Sequence, residues 1–205
     1  MATSRRRQLD TVRHALDEAR FGAARTLNLR AMLPTVREAV GRAESWLRQR
    51  QVEGAGEVLV VTGRGHGSPD GVSPVREAVR KLLVSLRRRG VVAEHAEHTA
   101  GSFVVRLAPT SALWNAPRRR REPPAPPAAD PPALRALEPQ TADLLRRLAV
   151  RSLESLGVRE PGPLVESEMI RQFAVLAQAI PDGPERETRF RAALSRALEE
   201  YETED

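Results

Sequence analysis

The stretch from Glu57 to Lys81 constrains the fold of this chain more than any other. The apolar run Val58 to Val61 predicts a buried strand, which breaks directly into the glycine-rich sequence T-G-R-G-H-G. A helix is predicted to begin near Ser73, because serine is a favoured N-cap and Pro74 then takes the first helical position. A strand, a glycine loop and a helix in this order predict a phosphate site, because loop amides and helix N-termini bind anions.

The predicted phosphate site is cationic and fits neither of two well-known glycine motifs. A dinucleotide fingerprint needs glycine where Ser68 stands, and a P-loop needs lysine where Val72 stands. We therefore expect backbone amides and arginine forks to hold a phosphodiester rather than a coenzyme. The residues predicted to bind phosphate are Gly63, Arg64, Gly65 and Gly67 in the loop, and Arg76 and Arg80 in the helix. The alternative is a simple turn whose arginines lie in water.

The elements around the loop predict a two-layer βαβαββ domain of the α/β class. A short strand is expected at Thr26 to Arg30, a helix from Pro34, and two strands at Val91 to Ala96 and Ser102 to Leu107. His95 and His98 lie three residues apart on a predicted strand and so point to opposite faces, which argues against a metal site. The predicted organisation is an N-terminal helix at 1–25, the α/β domain at 26–115, a Pro/Arg-rich linker at 116–133, and an all-α segment at 134–205.

Charge is divided unevenly along the 205 residues. Residues 1–121 contain 23 Lys or Arg against 11 Asp or Glu, whereas residues 122–205 contain 10 against 16. A segment of net charge +12 is typical of nucleic-acid-binding proteins. The chain has no cysteine and hence no thiolate metal site or thiol nucleophile, and no apolar run that predicts a membrane span. We expect a cytoplasmic protein with no membrane partner.

The acidic segment at 134–205 shows the periodicity of three amphipathic helices and predicts a small bundle that forms a dimer or binds a protein partner. Since the linker is long enough to fold back, we expect this segment to compete with phosphate at the basic domain.

Four short motifs occur in order between residues 26 and 108: L-N-L-R-A from Leu27, T-G-R-G from Thr62, V-R at Val75 and A-G-S from Ala100. In these motifs the segment resembles the Smr (small MutS-related) domain. The resemblance implies a fold similar to the C-terminal domain of translation initiation factor three, binding of DNA or RNA, and, in several family members, endonuclease activity. It places Arg30, Gly63, Gly65, Arg76 and Gly101 at motif positions. Asn28 and Ala31 depart from the acidic residue and the glycine of the first motif.

We therefore predict a nucleic-acid-binding protein, with hydrolysis of phosphodiester bonds left open. In a nuclease, His66 would be the general base and Arg30 and Arg76 would stabilise the transition state, with magnesium or manganese as the cofactor and no metal ligand assigned. Arg76, as an exposed helical arginine, is expected to contribute to binding and little to stability. The choice between DNA and RNA is also left open. The alternative is a non-catalytic adaptor that binds the ribosome or a protein and recruits a partner through its helical tail.

Overall fold

The computed structural model describes residues 20–32, 34–63, 73–115, 134 and 136–204. The predicted linker at 116–133 and most of the predicted N-terminal helix lie outside these residues. Residues 64–72, which include most of the glycine loop, lie outside them as well.

The described part of residues 26–115 folds as one mixed α/β unit. Its main elements are β1 (Thr26–Asn28), α1 (Val36–Val52), β2 (Glu57–Val61), α2 (Pro74–Arg88), β3 (Val92–Thr99) and β4 (Ser102–Leu107). The strands form one sheet in the order β1-β2-β4-β3, in which β1 runs parallel to β2 and the other pairs are antiparallel. The predicted α/β class and the βαβαββ order are confirmed.

The first predicted strand ends earlier than expected. β1 stops at Asn28, and Arg30–Met32 form a 3-10 turn instead of continuing the strand. The side-chain Oδ1 of Asn28 accepts the N–H of Ala31 at 3.2 Å, and such local bonds compete with strand pairing. Helix α1 likewise begins after Thr35 rather than at Pro34, because Thr35 and Glu38 form a reciprocal capping box.

Both long helices of the unit pack on one face of the sheet. Val58 and Val60 point from β2 into this layer, where fully buried Leu47 of α1 and Leu83 of α2 meet them. Helix α2 starts as predicted, since the Ser73 side chain accepts the N–H of Arg76 and Pro74 is its first residue. Successive side chains of a strand point to opposite faces, so Val58 and Val60 share the face of β2 that the helices cover.

A buried glutamine ties the end of α1 to two turns. Gln51 is 2% exposed, and its Nε2 donates to the carbonyl oxygens of Gly90 (2.7 Å), Ala108 (3.2 Å) and Pro109 (3.2 Å). The carbonyl oxygen of Pro109 also accepts the N–H of Ala112 (3.1 Å), so Gln51 matters most for the buried carbonyl oxygens of Gly90 and Ala108.

The acidic segment forms three helices, as the sequence predicts. They are α4 (Pro139–Ser155), α5 (Val165–Ala177) and α6 (Arg186–Glu204), and a short helix α3 (Ala112–Asn115) leads out of the sheet. The predicted apolar positions lie in the core of this bundle, with Phe173 and Phe190 stacked at 5.1 Å between ring centroids. Leu156, however, is 60% exposed at the end of α4. No helix of the described residues is long and apolar enough to cross a membrane.

The bundle packs against the α/β unit and shares a core with it. Val52 and Trp114 of the α/β unit belong to the apolar cluster of the bundle. Arg196 of α6 donates to the carbonyl oxygen of Val52, and Glu200 accepts the N–H groups of Thr110 (3.0 Å) and Ser111 (2.8 Å). These contacts lie where β2 begins and β4 ends, which is the opposite end of β2 from Gly63. The described contacts therefore place the helical segment against the basic domain at the end of the sheet away from Gly63, and the expected competition with phosphate stays a prediction.

Candidate nucleic-acid interface

Several predicted site residues fall outside the described part of the chain. Arg64, Gly65, His66 and Gly67 belong to residues 64–72, so their assigned roles stay predictions.

Arg30 and Gly63 lie side by side at the carboxyl ends of β1 and β2. A Cβ atom added to Gly63 would stand 3.6 Å from Cγ of Arg30, in ordinary van der Waals contact, and Gly63 has a φ of 83°. The parallel pairing of the two strands brings these residues together, because parallel strands end at the same edge of a sheet. Arg30 is exposed and forms no ion pair with another described residue. It is therefore available to an anion at this edge.

The amides of Gly63 and Gly101 are already used within the protein. The carbonyl oxygen of Gly101 accepts the N–H groups of Thr62 (2.8 Å) and Gly63 (3.0 Å), and the N–H of Gly101 donates to Oγ1 of Thr99 (3.2 Å). These bonds fasten the end of β2 to the turn between β3 and β4. In this conformation neither glycine offers a free amide, so the predicted direct phosphate contacts of their backbones are not supported.

Arg76 is not the solvated helical arginine that the sequence suggests. Its side chain is 23% exposed and pairs with Glu97 of β3 at 2.7 Å. Its guanidinium carbon lies 5.2 Å from the ring centroid of Phe103, a buried residue of β4, at a distance typical of cation–π contacts. Arg76 therefore joins α2 to the sheet, and its role as a transition-state stabiliser has no support in these contacts.

Arg80 also has a carboxylate partner, but a local one. Its Nε and NH2 nitrogens donate to the two oxygens of Glu77 at 3.0 and 2.7 Å, and the side chain is 48% exposed. The Glu77 hydrogen bonds and charge hold the pKa of Arg80 above its ordinary value. This exposed pair leaves Arg80 accessible to a further anion.

Helix α2 carries the densest cationic charge of the described helices. Besides Glu77, its charged residues from Pro74 to the C-cap are cations: Arg76, Arg80, Lys81, Arg87, Arg88 and Arg89. Arg89 pairs with Glu44 of α1 at 2.8 Å, whereas exposed Arg87 and Arg88 form no ion pair with a described residue. We call Arg80, Lys81, Arg87 and Arg88 the α2 cationic surface.

The pKa of His95, on β3, is affected by the positive charge of this surface. The residue is half-buried, its Nδ1 is buried without a hydrogen-bond partner among the described residues, and it faces α2 beside Glu97. Burial lowers the pKa of His95, and the charges of Arg87 and Arg80 lower it further. The nearest charges therefore favour an anion here over a second cation.

The contribution of β3 to this surface was not predicted from the sequence, in which the opposite faces of His95 and His98 only argue against a metal site. Among the described residues, no cluster of three or more His, Asp or Glu side chains could hold a metal ion. The position of β3 beside α2 follows from the strand order, which pairs β3 with β4 at the edge of the sheet. The sequence signal available was the alternation that places His95 and Glu97 on the same face.

No protein-family model, curated protein or solved structure matches this chain.

Proposed function

We propose that the α/β unit binds nucleic acid through its backbone phosphates, using the α2 cationic surface together with Arg30. The observation that carries this proposal is the imbalance of charge on this surface, where Glu77 is the one carboxylate of α2 beside four exposed cations, and Arg87 and Arg88 form no ion pair with a described residue. Exposed arginines on one helix face can each contact a separate phosphate, and such contacts are sequence-independent. The resemblance to Smr domains points in the same direction.

The experiment is a salt titration of binding with the full chain. Labelled duplex DNA and structured RNA are titrated by fluorescence anisotropy across a range of salt concentrations. For duplex DNA, each phosphate neutralised contributes about −0.9 to the slope of log K against log salt. Replacing Arg87 and Arg88 together with alanine should therefore reduce the magnitude of the slope by about 2.

The matched control is the double replacement of Arg146 and Arg147 by alanine. These adjacent arginines are exposed on α4, and their replacement removes the same net charge from the helical bundle as the Arg87 and Arg88 replacement removes from the α/β unit. The proposal predicts an unchanged slope for this control. Equal losses in the two double variants, or a wild-type affinity that does not respond to salt, would contradict the assignment of the surface.

Hydrolysis of the bound strand is a second step that we propose only through His66 and Arg30. A neutral imidazole in the loop would accept a proton from water, and Arg30 at the neighbouring strand end would stabilise charge on the phosphorus oxygens. Incubation of supercoiled plasmid and structured RNA, with and without magnesium or manganese, tests this step. Cleavage that persists at full rate in both His66→Ala and Arg30→Ala would exclude these residues, and an inactive wild type would restrict the function to binding.

The adaptor alternative gains no support from the helical segment. Its apolar stripes face one another and the α/β unit, and its exposed large apolar residues among those described are Leu156 and Leu164. A partner-binding tail would present a wider apolar face.

A further inference from the structure

A cavity lies between the two units, away from the α2 cationic surface. It measures about 190 Å³ and is bounded by the end of α1, by the turn that follows α5 and by α6. Its apolar lining includes Val52, Ile180 and Ala193, and its polar lining residues, here called the rim, are Gln49, Glu53, Arg189 and Arg196. Exposed Ala192 lies at the mouth. Apolar walls with a few polar groups are typical of small-molecule sites.

Arg196 is the rim residue whose charge is not balanced. It is half-buried and donates to the carbonyl oxygen of Val52, but no described carboxylate forms an ion pair with it. A guanidinium has five N–H donors, so this one bond leaves donors over for an anion. A half-buried cation with no counter-ion is costly, and an anion in the cavity would relieve that cost.

The other charged groups at the rim already have partners. Glu53 pairs with Arg50 at 2.8 Å and accepts a hydrogen bond from Gln49 at 2.9 Å, while Arg189 pairs with Glu185 at 2.9 Å. Binding of an anion therefore meets no unpaired negative charge, and Arg196 supplies the attraction.

The backbone beside Arg196 is shaped for its close approach. A Cβ atom on Gly54 would stand 2.7 Å from Nε of Arg196 and 2.9 Å from its Cζ, and Gly54 has a φ of 68° that favours glycine. Gly54 thus lets the guanidinium lie against the chain at the edge of the cavity.

The volume limits the size of the ligand. Because one water molecule takes about 30 Å³ in the liquid, the cavity has room for roughly six waters, or for a molecule of about six to nine non-hydrogen atoms. We propose that this cavity binds a small aliphatic monocarboxylate, with its carboxylate on Arg196 and its hydrocarbon chain against Ile180 and Ala193.

Hexanoate is the probe, added to the full chain and followed by backbone amide NMR shifts and by thermal unfolding. We expect saturable shifts for residues around Ile180 and Ala193, with hexan-1-ol and hexylamine binding at least tenfold more weakly because they lack the negative charge.

Two variants and a matched control make the test specific. Arg196→Gln should weaken hexanoate binding at least tenfold, whereas Arg189→Gln should change it less than threefold, since Arg189 is already paired with Glu185. Ala192→Leu should block the exposed mouth of the cavity and abolish the shifts while leaving Arg196 in place. This second variant decides the question if Arg196→Gln fails to fold. Hexanol binding as tightly as hexanoate, hexanoate shifts that do not saturate, or unchanged binding in Ala192→Leu would each overturn the proposal.

Discussion

Replacing Arg76 with alanine should destabilise the protein, although sequence reasoning expects almost no effect. The side chain is three-quarters buried, pairs with Glu97 and covers the ring of Phe103. A cation–π contact near the surface contributes about 0.5 to 1 kcal/mol, and a partly exposed ion pair such as this one adds about 0 to 1 kcal/mol. The free energy of unfolding should therefore fall by about 0.5 to 2 kcal/mol.

Urea unfolding of the full chain, followed by circular dichroism, measures this difference from the transition midpoint at constant slope. The matched control is Arg80→Ala, one turn further along the same helix, whose carboxylate partner is local and whose side chain faces solvent. The control should lose clearly less stability. In a double-mutant cycle, Glu97→Gln should have a smaller effect in the Arg76→Ala background than in the wild type.

Equal stability of Arg76→Ala and Arg80→Ala would refute this reasoning, because it would show that the contacts with Glu97 and Phe103 stabilise the fold no more than the exposed pair of Arg80 with Glu77. The same pair of variants separates structure from binding. Well below the unfolding temperature, Arg80→Ala should change the salt dependence of nucleic-acid binding more than Arg76→Ala does.

Three further predictions concern other parts of the molecule. Gln51→Leu should lower the free energy of unfolding, measured in urea, by about 2 to 3 kcal/mol because it leaves buried carbonyl oxygens without a donor. Gln51→Glu should be at least as destabilising. An unchanged free energy of unfolding in Gln51→Leu would show that these hydrogen bonds do not stabilise the fold. The lowered pKa of His95 means that the unfolded chain binds a proton more readily, so stability should fall as the pH drops from about 6.5 towards the folded-state pKa. His95→Asn should flatten that part of a stability profile measured between about pH 5 and pH 7. A fragment ending at residue 115 should unfold at a lower temperature than the full chain and bind an apolar dye, because Val52 and Trp114 lose their cover. If this fragment binds nucleic acid more tightly than the full chain at low salt, the helical segment competes with phosphate as the sequence predicts.

Helix α2 shows what local sequence signals can predict. Ser73 and Pro74 specify its start, and the apolar stripe that contains Val79 and Leu83 identifies its buried face. These signals act between residues close in the chain, where helix geometry fixes which side chains share a face. The alternating strands and the order of elements could be predicted for the same reason.

Arg76 shows where such reasoning stops. Its two partners lie 21 and 27 positions further along the chain, on strands whose pairing with each other decides that Glu97 stands opposite Phe103. Net charge alone could not predict where the helical segment packs, because its position depends on apolar contacts and on the hydrogen bonds of two individual residues, Arg196 and Glu200. Contacts between distant residues depend on the whole fold, which composition and spacing do not encode.

Helix α6 is synthesised long after the residues of the α/β unit that it contacts. Glu200 follows Thr110, whose N–H it accepts, by 90 positions, and Arg196 follows Val52 by 144. A ribosome that adds about 5 to 20 residues per second needs roughly 5 to 20 s to make those 90 residues. We expect the sheet and its two helices, which have a core of their own, to fold within that interval while Val52 and Trp114 still lack their cover. The apolar end of the emerging chain is then a target for chaperones and for aggregation, so the speed of translation through the helical segment should govern the yield of native protein.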